Sequence, residues 1–299
     1  MPPKPGEAPF PWTHFDDFIS GGADRQALLE QLLTEADLPY SIVNLEGNRH
    51  IFVCPKQDFS LPEAPARVIL TAHYDRTDGS PGANDNSASV FLLLETALKL
   101  RKLRLENWLF IFTDKEELHC GESLTRQGSY RLALALKQAG LSRAKIFSFD
   151  ACGSGDTLII STAADHLLKN ENGPGVMQAK RRIQKLRDTA LDTARNLGMD
   201  KVLLLPTPFS DDAGFLRGGL AAQTITVLPE EEASSFAQVI RKNPAIAGAL
   251  VNRDQLEESA LRLIPATWQS LNSPEDSSGR LTPKNYNRII RFAAALCGG

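Results

Sequence analysis

His73 is followed two positions later by Asp75, and the carboxylates Asp85, Glu116, Glu117 and Asp150 come further along the chain. One imidazole among carboxylates is the donor set of a divalent-metal site. Zinc accepts His nitrogen and Asp or Glu oxygen, and one carboxylate can bridge a pair of metals. Read singly, each residue has a plainer role. A histidine after a strand is commonly just hydrogen-bonded, Glu116-Glu117 suits the acidic first turn of a helix, and Asp85 or Asp150 suits a turn or cap. Their shared placement argues against separate coincidences.

That placement follows from the apolar runs before them. VILTA (68–72) leads into His73-Tyr74-Asp75, LFIFT (109–113) into Asp114-Lys115-Glu116-Glu117, and IFSF (146–149) into Asp150. In open α/β sheets ligands bind at the carboxyl ends of strands, so these runs deliver His, Glu-Glu and Asp to one edge. The turn-rich Gly82-Ala83-Asn84-Asp85-Asn86-Ser87 adds a loop ahead of a helix. Buried carboxylates gathered there cost on the order of several kcal/mol each unless a cation balances them.

The elements that must do the positioning alternate. Helical spacing covers Asp24–Asp37, with Leu28, Leu29, Leu32 and Leu33 on one face. Ser41–Pro55 reads as a hairpin around Glu46-Gly47-Asn48. Strands are then expected at 68–72, 108–112, 145–149, 157–162, 202–205 and 224–228. Helices are expected near 86–101, 130–140, 177–197 and 283–296, the last opening on Pro283. Strands that are near-continuous apolar runs, alternating with helices, imply a largely parallel sheet covered on both faces.

Bulk properties narrow the function classes. A chain of 299 residues with 42% hydrophobic and 23% charged residues is of ordinary globular composition. A net charge of −3 supplies no field for nucleic acid or an anionic membrane. No run reaches the roughly 18 apolar residues of a membrane span, and MPPKPGEAPFPW lacks the apolar core of a signal peptide. A cytoplasmic setting is expected. Cys54, Cys120, Cys152 and Cys297 are too scattered for a zinc finger and are expected as reduced, mostly buried thiols. Glu230-Glu231-Glu232 and the basic stretch 177–197 are expected to be solvated faces. There is no P-loop and no Gly-x-Ser-x-Gly elbow.

Taken together, His73-Tyr74-Asp75, Gly82-Ala83-Asn84-Asp85-Asn86, Glu116-Glu117 and Asp150 resemble the M28 family of zinc peptidases, the aminopeptidase and glutaminyl-cyclase group. The likeness continues through Phe209-Ser210-Asp211-Asp212-Ala213-Gly214-Phe215 and Asn272-Ser273-Pro274-Glu275-Asp276 to the closing helix. It implies a three-layer αβα sandwich with a mostly parallel mixed central sheet. It also implies a single catalytic domain over residues 21–299, preceded by a Pro-rich arm at 1–20. The cofactor implied is one or two zinc ions, with manganese or cobalt as substitutes, and the substrate is a peptide.

By the same resemblance Asp85 bridges the metals, His73 and Asp150 complete one site, and Glu117 belongs to the other. Glu116 is the general base that takes a proton from an acidified water and passes it to the leaving amine, and Asp75 orients His73. The chain departs from the family pattern in two places. Asp212 stands where the family has a His, here a candidate substrate-binding residue, and Asn272 stands where the family has its last His ligand. His119, two positions beyond Glu117, is a possible substitute ligand. The reading is a metallo-aminopeptidase. Glutaminyl-cyclase chemistry and metal or peptide binding without catalysis are the alternatives.

Overall fold

The structure, a computed structural model, describes residues 11–55, 67–119, 121–251 and 261–298. Residues 1–10 of the expected arm and Cys120 lie outside the described residues.

Eight strands form one sheet in the order β1-β2-β4-β3-β5-β8-β6-β7. They are β1 (Tyr40–Leu45), β2 (Asn48–Val53), β3 (Val68–His73), β4 (Trp108–Thr113), β5 (Lys145–Phe149), β6 (Thr157–Ser161), β7 (Val202–Leu205) and β8 (Ala222–Leu228). The hairpin β1–β2 pairs antiparallel and hands on to β4 antiparallel. The central strands β4, β3, β5 and β8 run parallel. β6 lies antiparallel to β8 and parallel to β7. The chain leaves β3 for β4 on one side and returns to β5 on the other, so the strand order reverses at β3. A crevice opens at such a reversal, outside the carboxyl ends of the strands.

The central strands are buried along their whole length, yet period two still sorts their side chains. Leu70, Ala72, Trp108, Phe110, Phe112, Phe147 and Phe149 join the larger core, while Ile69, Leu109, Ile111 and Ile146 join a second core on the opposite face. Each fully buried Leu or Phe contributes roughly 1.5–3 kcal/mol, which makes this sheet the rigid base from which the strand ends project.

Helices cover both faces. On the larger core lie α1 (Phe15–Ile19), α2 (Arg25–Glu35) and α3 (Ala88–Lys102), and on the smaller core lies α4 (Gly128–Gln138). Asp24 caps α2, its carboxylate accepting the Ala27 N–H at 3.0 Å, and Leu29, Leu32 and Leu33 bury the face that the leucine spacing predicts. Further along come α5 (Ala163–Leu167), α6 (Pro174–Asn196), α7 (Asp211–Arg217), α8 (Glu230–Lys242), α9 (Ala245–Val251), α10 (Ala266–Gln269) and α11 (Tyr286–Gly298). α6 and α11 close the larger core, α7 the smaller one, and α8 to α10 enclose a third core around Phe236 and Trp268. The result is the expected three-layer αβα arrangement. Among the described residues no helix is long and apolar enough to cross a membrane.

Several details differ from expectation. Residues 12–19, expected as part of an arm outside the domain, are helical, and Phe15 and Phe18 are buried in the larger core. The acidic triplet is the first turn of α8 rather than a plain solvated face. Glu230 reaches Lys201 Nζ at 2.6 Å, and Glu232 accepts the Thr267 N–H at 2.9 Å. The basic stretch buries Ile183, Leu186 and Ala190 beneath its charges, and Arg187 is itself buried against Asp165 at 3.0 Å.

Candidate metal centre

His73 ends β3 and is 1% exposed. Its Nδ1 lies 3.3 Å from the Asp75 carbonyl and 3.5 Å from Asp75 Oδ1. A proton held on Nδ1 toward Asp75 leaves the Nε2 lone pair facing the carboxylates, the arrangement that ligand histidines use. Nε2 is 3.1 Å from Asp85 Oδ1, 3.8 Å from Asp150 Oδ1 and 4.0 Å from Glu116 Oε2. It is buried and makes no hydrogen bond.

Asp75 also reaches across to the next strand end. Its carboxylate accepts the N–H of Glu116 at 3.2 Å and of Glu117 at 3.0 Å. Burial opposes the charge of Asp75, but bonds from His73 and from these amides hold its pKa below the usual value. The Glu-Glu segment is not a helical turn. It leaves β4 through Lys115 in the left-handed region, φ 62°, and Lys115 O accepts the Gly128 N–H at 2.8 Å. A Cβ on Gly128 would lie 1.9 Å from Asp114 O, so only glycine permits this approach. Glu116 Oε1 accepts from Gln127 Nε2 at 2.9 Å.

The loop carrying Asp85 is built from both sides. Gly82 opens it with φ 59°, and Ser87 Oγ donates back to Gly82 O at 2.6 Å. Asn86 Nδ2 donates to Phe149 O at 2.8 Å, and Asn86 Oδ1 accepts the Ala151 N–H at 3.2 Å. Asn84 Oδ1 accepts the Gly153 N–H at 2.8 Å. The asparagines flanking Asp85 thus lock its loop to the segment flanking Asp150. Asp276, 1% exposed, accepts the N–H groups of Asn84 and Asp85 at 2.8 and 2.9 Å.

The outcome is one compact cluster. Ligand-type atoms of His73, Asp85 and Asp150 lie within 4.8 Å of one another, and so do those of His73, Glu116 and Glu117. His73 therefore belongs to both groups, and Glu116, expected as a base alone, lies at ligand distance too. Burial and neighbouring negative charge push Glu117 up to about 8, first through desolvation and then through Asp85. Burial likewise drives Glu116 well above its ordinary value, against the pull of His73. Burial lowers the His73 pKa, but the negative carboxylates of Asp150, Asp75 and Asp85 around the ring outweigh it and leave the pKa well raised. These directions mark a site short of positive charge. The buried, unbonded Glu117 Oε1 and His73 Nε2 and the N/O donor set fit a divalent cation.

A cleft of about 550 Å³ opens over the cluster, lined by Asp85, Glu116, Glu117 and Asp150 on its floor and by Phe209, Trp268 and Leu271 among its walls. Asn272 and His119 line it as well. Asn272 sits in the left-handed region at φ 61° and its Oδ1 accepts from Thr77 Oγ1 at 2.8 Å. His119 belongs to neither ligand group. Asp212, read as substrate-binding, is instead buried at the start of α7 and is not among the cleft-lining residues. Its Oδ1 accepts the Ser210 N–H at 3.2 Å. Cys152 is buried beneath the site, with Sγ donating to Ile225 O at 3.3 Å. Thr77, Gln127 and the apolar walls escaped the sequence reading. Their contacts span separate segments, so no local spacing signals them.

A model of peptidase family M28 matches residues 58–233, more than half of the 299 residues. No curated protein matches. Among solved structures, a zinc aminopeptidase from Bacillus subtilis is similar with TM-score 0.52 and 20% identity, covering 83% of this chain and 49% of that one. The chain thus spans about half the length of that protein. A glutaminyl cyclase from Porphyromonas gingivalis is similar with TM-score 0.60 and 15% identity over 95% of this chain and 94% of that one. A Zn-dependent exopeptidase from Parabacteroides distasonis gives 0.61 and 14% over 96% of each chain. At these identities the likeness to the solved structures is one of fold.

Proposed function

This chain belongs to peptidase family M28, and on that premise we propose that it is a metallo-aminopeptidase that removes residues from the N-terminus of peptides at a zinc centre. The observation that carries the reading is the cluster of His73, Asp85, Glu116, Glu117 and Asp150, whose four carboxylates line one cleft. His73, Asp85 and Asp150 would hold one zinc ion. Glu117 would support a second, with Asn272 as a weak neutral ligand and Asp85 as the bridge. Manganese or cobalt could replace zinc in this oxygen-rich set. A zinc ion bound there supplies Lewis acidity toward a carbonyl and acidifies water.

The protein's own groups do the rest. Asp75 fixes the ring and tautomer of His73 through Nδ1 and, through the amides of Glu116 and Glu117, fixes the Glu-Glu segment to it. Glu116 is the proton carrier in this reading: one carboxylate oxygen is held by Gln127 and the other faces the cluster, 4.0 Å from His73 Nε2. It takes a proton from water and returns it to the leaving amine. The apolar walls at Phe209, Trp268 and Leu271 exclude water from the side chain of the residue being removed.

The test is mass spectrometry of a mixed peptide pool incubated with the purified protein, with and without zinc, manganese or cobalt. Stepwise N-terminal shortening that requires metal is the expected result. Loss of ammonia from N-terminal Gln would replace the proposal with cyclase chemistry. No change under any metal would replace it with a binding role.

A further inference from the structure

Arg25 is the first residue of α2 and is 6% exposed. Buried arginines are ordinarily matched with a carboxylate, yet among the described residues Arg25 makes no ion pair. Its guanidinium donates only to backbone carbonyls. Nε reaches Phe18 O at 3.2 Å. Nη1 reaches Tyr74 O at 3.2 Å and Asp75 O at 3.3 Å. Nη2 reaches Pro81 O at 2.7 Å and Gly82 O at 3.3 Å. A guanidinium carries five N–H donors in a rigid fork, so each of them is spent here.

Besides Phe18 in α1, the recipients belong to two segments of the site. Tyr74 and Asp75 directly follow His73, and Pro81 and Gly82 enter the loop that carries Asp85. The fork ties one to the other from beneath. Gly82 is part of the fit: a Cβ there would lie 2.7 Å from Asp85 O and 2.9 Å from Arg25 Nη2. The His73 Nε2 to Asp85 Oδ1 distance of 3.1 Å spans these same two segments. Metal ligands must hold their distances to within about 0.2 Å, so whatever fixes the segments fixes the site.

We propose that Arg25 is a positioning residue of the metal centre, a clamp that sets the spacing of His73 and Asp85 by bonding the backbone beside each. It lies outside the residues 58–233 matched by the family model. The inference rests on the zinc reading given above. Lysine cannot replace Arg25, because an ammonium carries a single point charge with three donors and cannot bridge both carbonyl pairs. Arg76 is the natural control. Its guanidinium binds the same N-terminal segment at Ile19 O, Ser20 O and Gly21 O, but only Pro81 O of the site loops.

The experiment measures zinc affinity of the full chain by competition with a chromophoric chelator, alongside far-UV circular dichroism and thermal melting. Arg25→Lys is expected to keep its circular dichroism and to bind zinc about 10–100-fold more weakly, the usual effect of losing support behind a ligand. Arg76→Ala is expected to stay within about threefold of the parent, below that range. Arg25→Ala provides the second variant: millimolar guanidinium, but not ammonium, should restore its zinc affinity. Unchanged zinc affinity in folded Arg25→Lys overturns the clamp. So does an equal loss in Arg76→Ala, or loss of fold in both Arg25 variants. A parent protein that binds no zinc overturns the metal reading itself, and the clamp with it.

Discussion

Asp276 accepts the backbone N–H of Asp85 at 2.9 Å, while its other carboxylate oxygen accepts that of Asn84 at 2.8 Å. The Asp276 carbonyl takes a third N–H, from Ala83, at 3.1 Å. The loop is therefore gripped by its amides at one end and, through Arg25, by its carbonyls at the other. Burial pushes the Asp276 carboxyl up to about 6, against the pull of those amides, so it is ionised and accepting on both oxygens at neutral pH. Asp276→Asn replaces one acceptor with a donor facing an N–H. Zinc affinity should fall by about 10–100-fold in calorimetric titration, and an unchanged value would remove Asp276 from the support of Asp85.

Glu116 and Glu117 are adjacent in sequence but differ in what they touch. Glu116 Oε1 is engaged by Gln127, whereas Glu117 Oε1 is buried without a bond. A carboxylate that carries protons is lost to catalysis as an amide, while a neighbouring metal can still bind through the other ligands. Glu116→Gln should lower kcat by about 100-fold or more with zinc content retained, measured by turnover and by atomic absorption on the same sample. Full activity in this variant would exclude Glu116 as the base.

Strand ends carrying polar residues were legible in the sequence because long apolar runs stop abruptly at His73, Asp114 and Asp150. The Asp85 loop was legible because its asparagines and glycine are turn chemistry, and the structure gives the reason: Asn84 and Asn86 bond the Asp150 segment. α8 was missed because its first turn reads as a charge run, although acidic residues there suit the helix dipole. In the described part of the arm, proline content masks Phe15 and Phe18, which pack into the core. Arg25 was invisible for a different reason. Its partners in the site loops are backbone carbonyls 49 to 57 positions away, and carbonyls have no sequence signature.

Asn272 offers a direct test of the second metal position. It lines the cleft in a left-handed conformation, with its amide oxygen held by Thr77. An amide oxygen is a weak donor toward zinc, and imidazole is a strong one. Asn272→His should raise bound zinc toward two equivalents per chain, read by mass spectrometry under native conditions. An unchanged stoichiometry would mean that position 272 does not face the Glu117 side of the cluster.

Asp211 and Asp212 supply a further pH dependence, coupled by charge to His73 and to Asp150 respectively. Both are buried, and burial is the main cause that lifts them from 3.8 to about 6 and about 7. Thr113 Oγ1 donates to Asp211 Oδ2 at 2.5 Å and the Ser210 amide to Asp212, which lowers both pKa values but does not offset desolvation. The folded state thus holds protons that the unfolded chain releases above pH 3.8. Stability from these groups is complete below that value and is lost as pH rises toward about 7. The metal-free protein should accordingly melt at lower temperature at pH 8 than at pH 5. Asp212→Asn keeps an acceptor for Ser210 but never ionises, so it should narrow that difference by about 5 °C. Scanning calorimetry across the pH range, with chelator present, reads this directly. Parallel profiles for parent and variant would mean that Asp212 is ionised at little cost, and that the acidic patch under α7 is better solvated than its burial indicates.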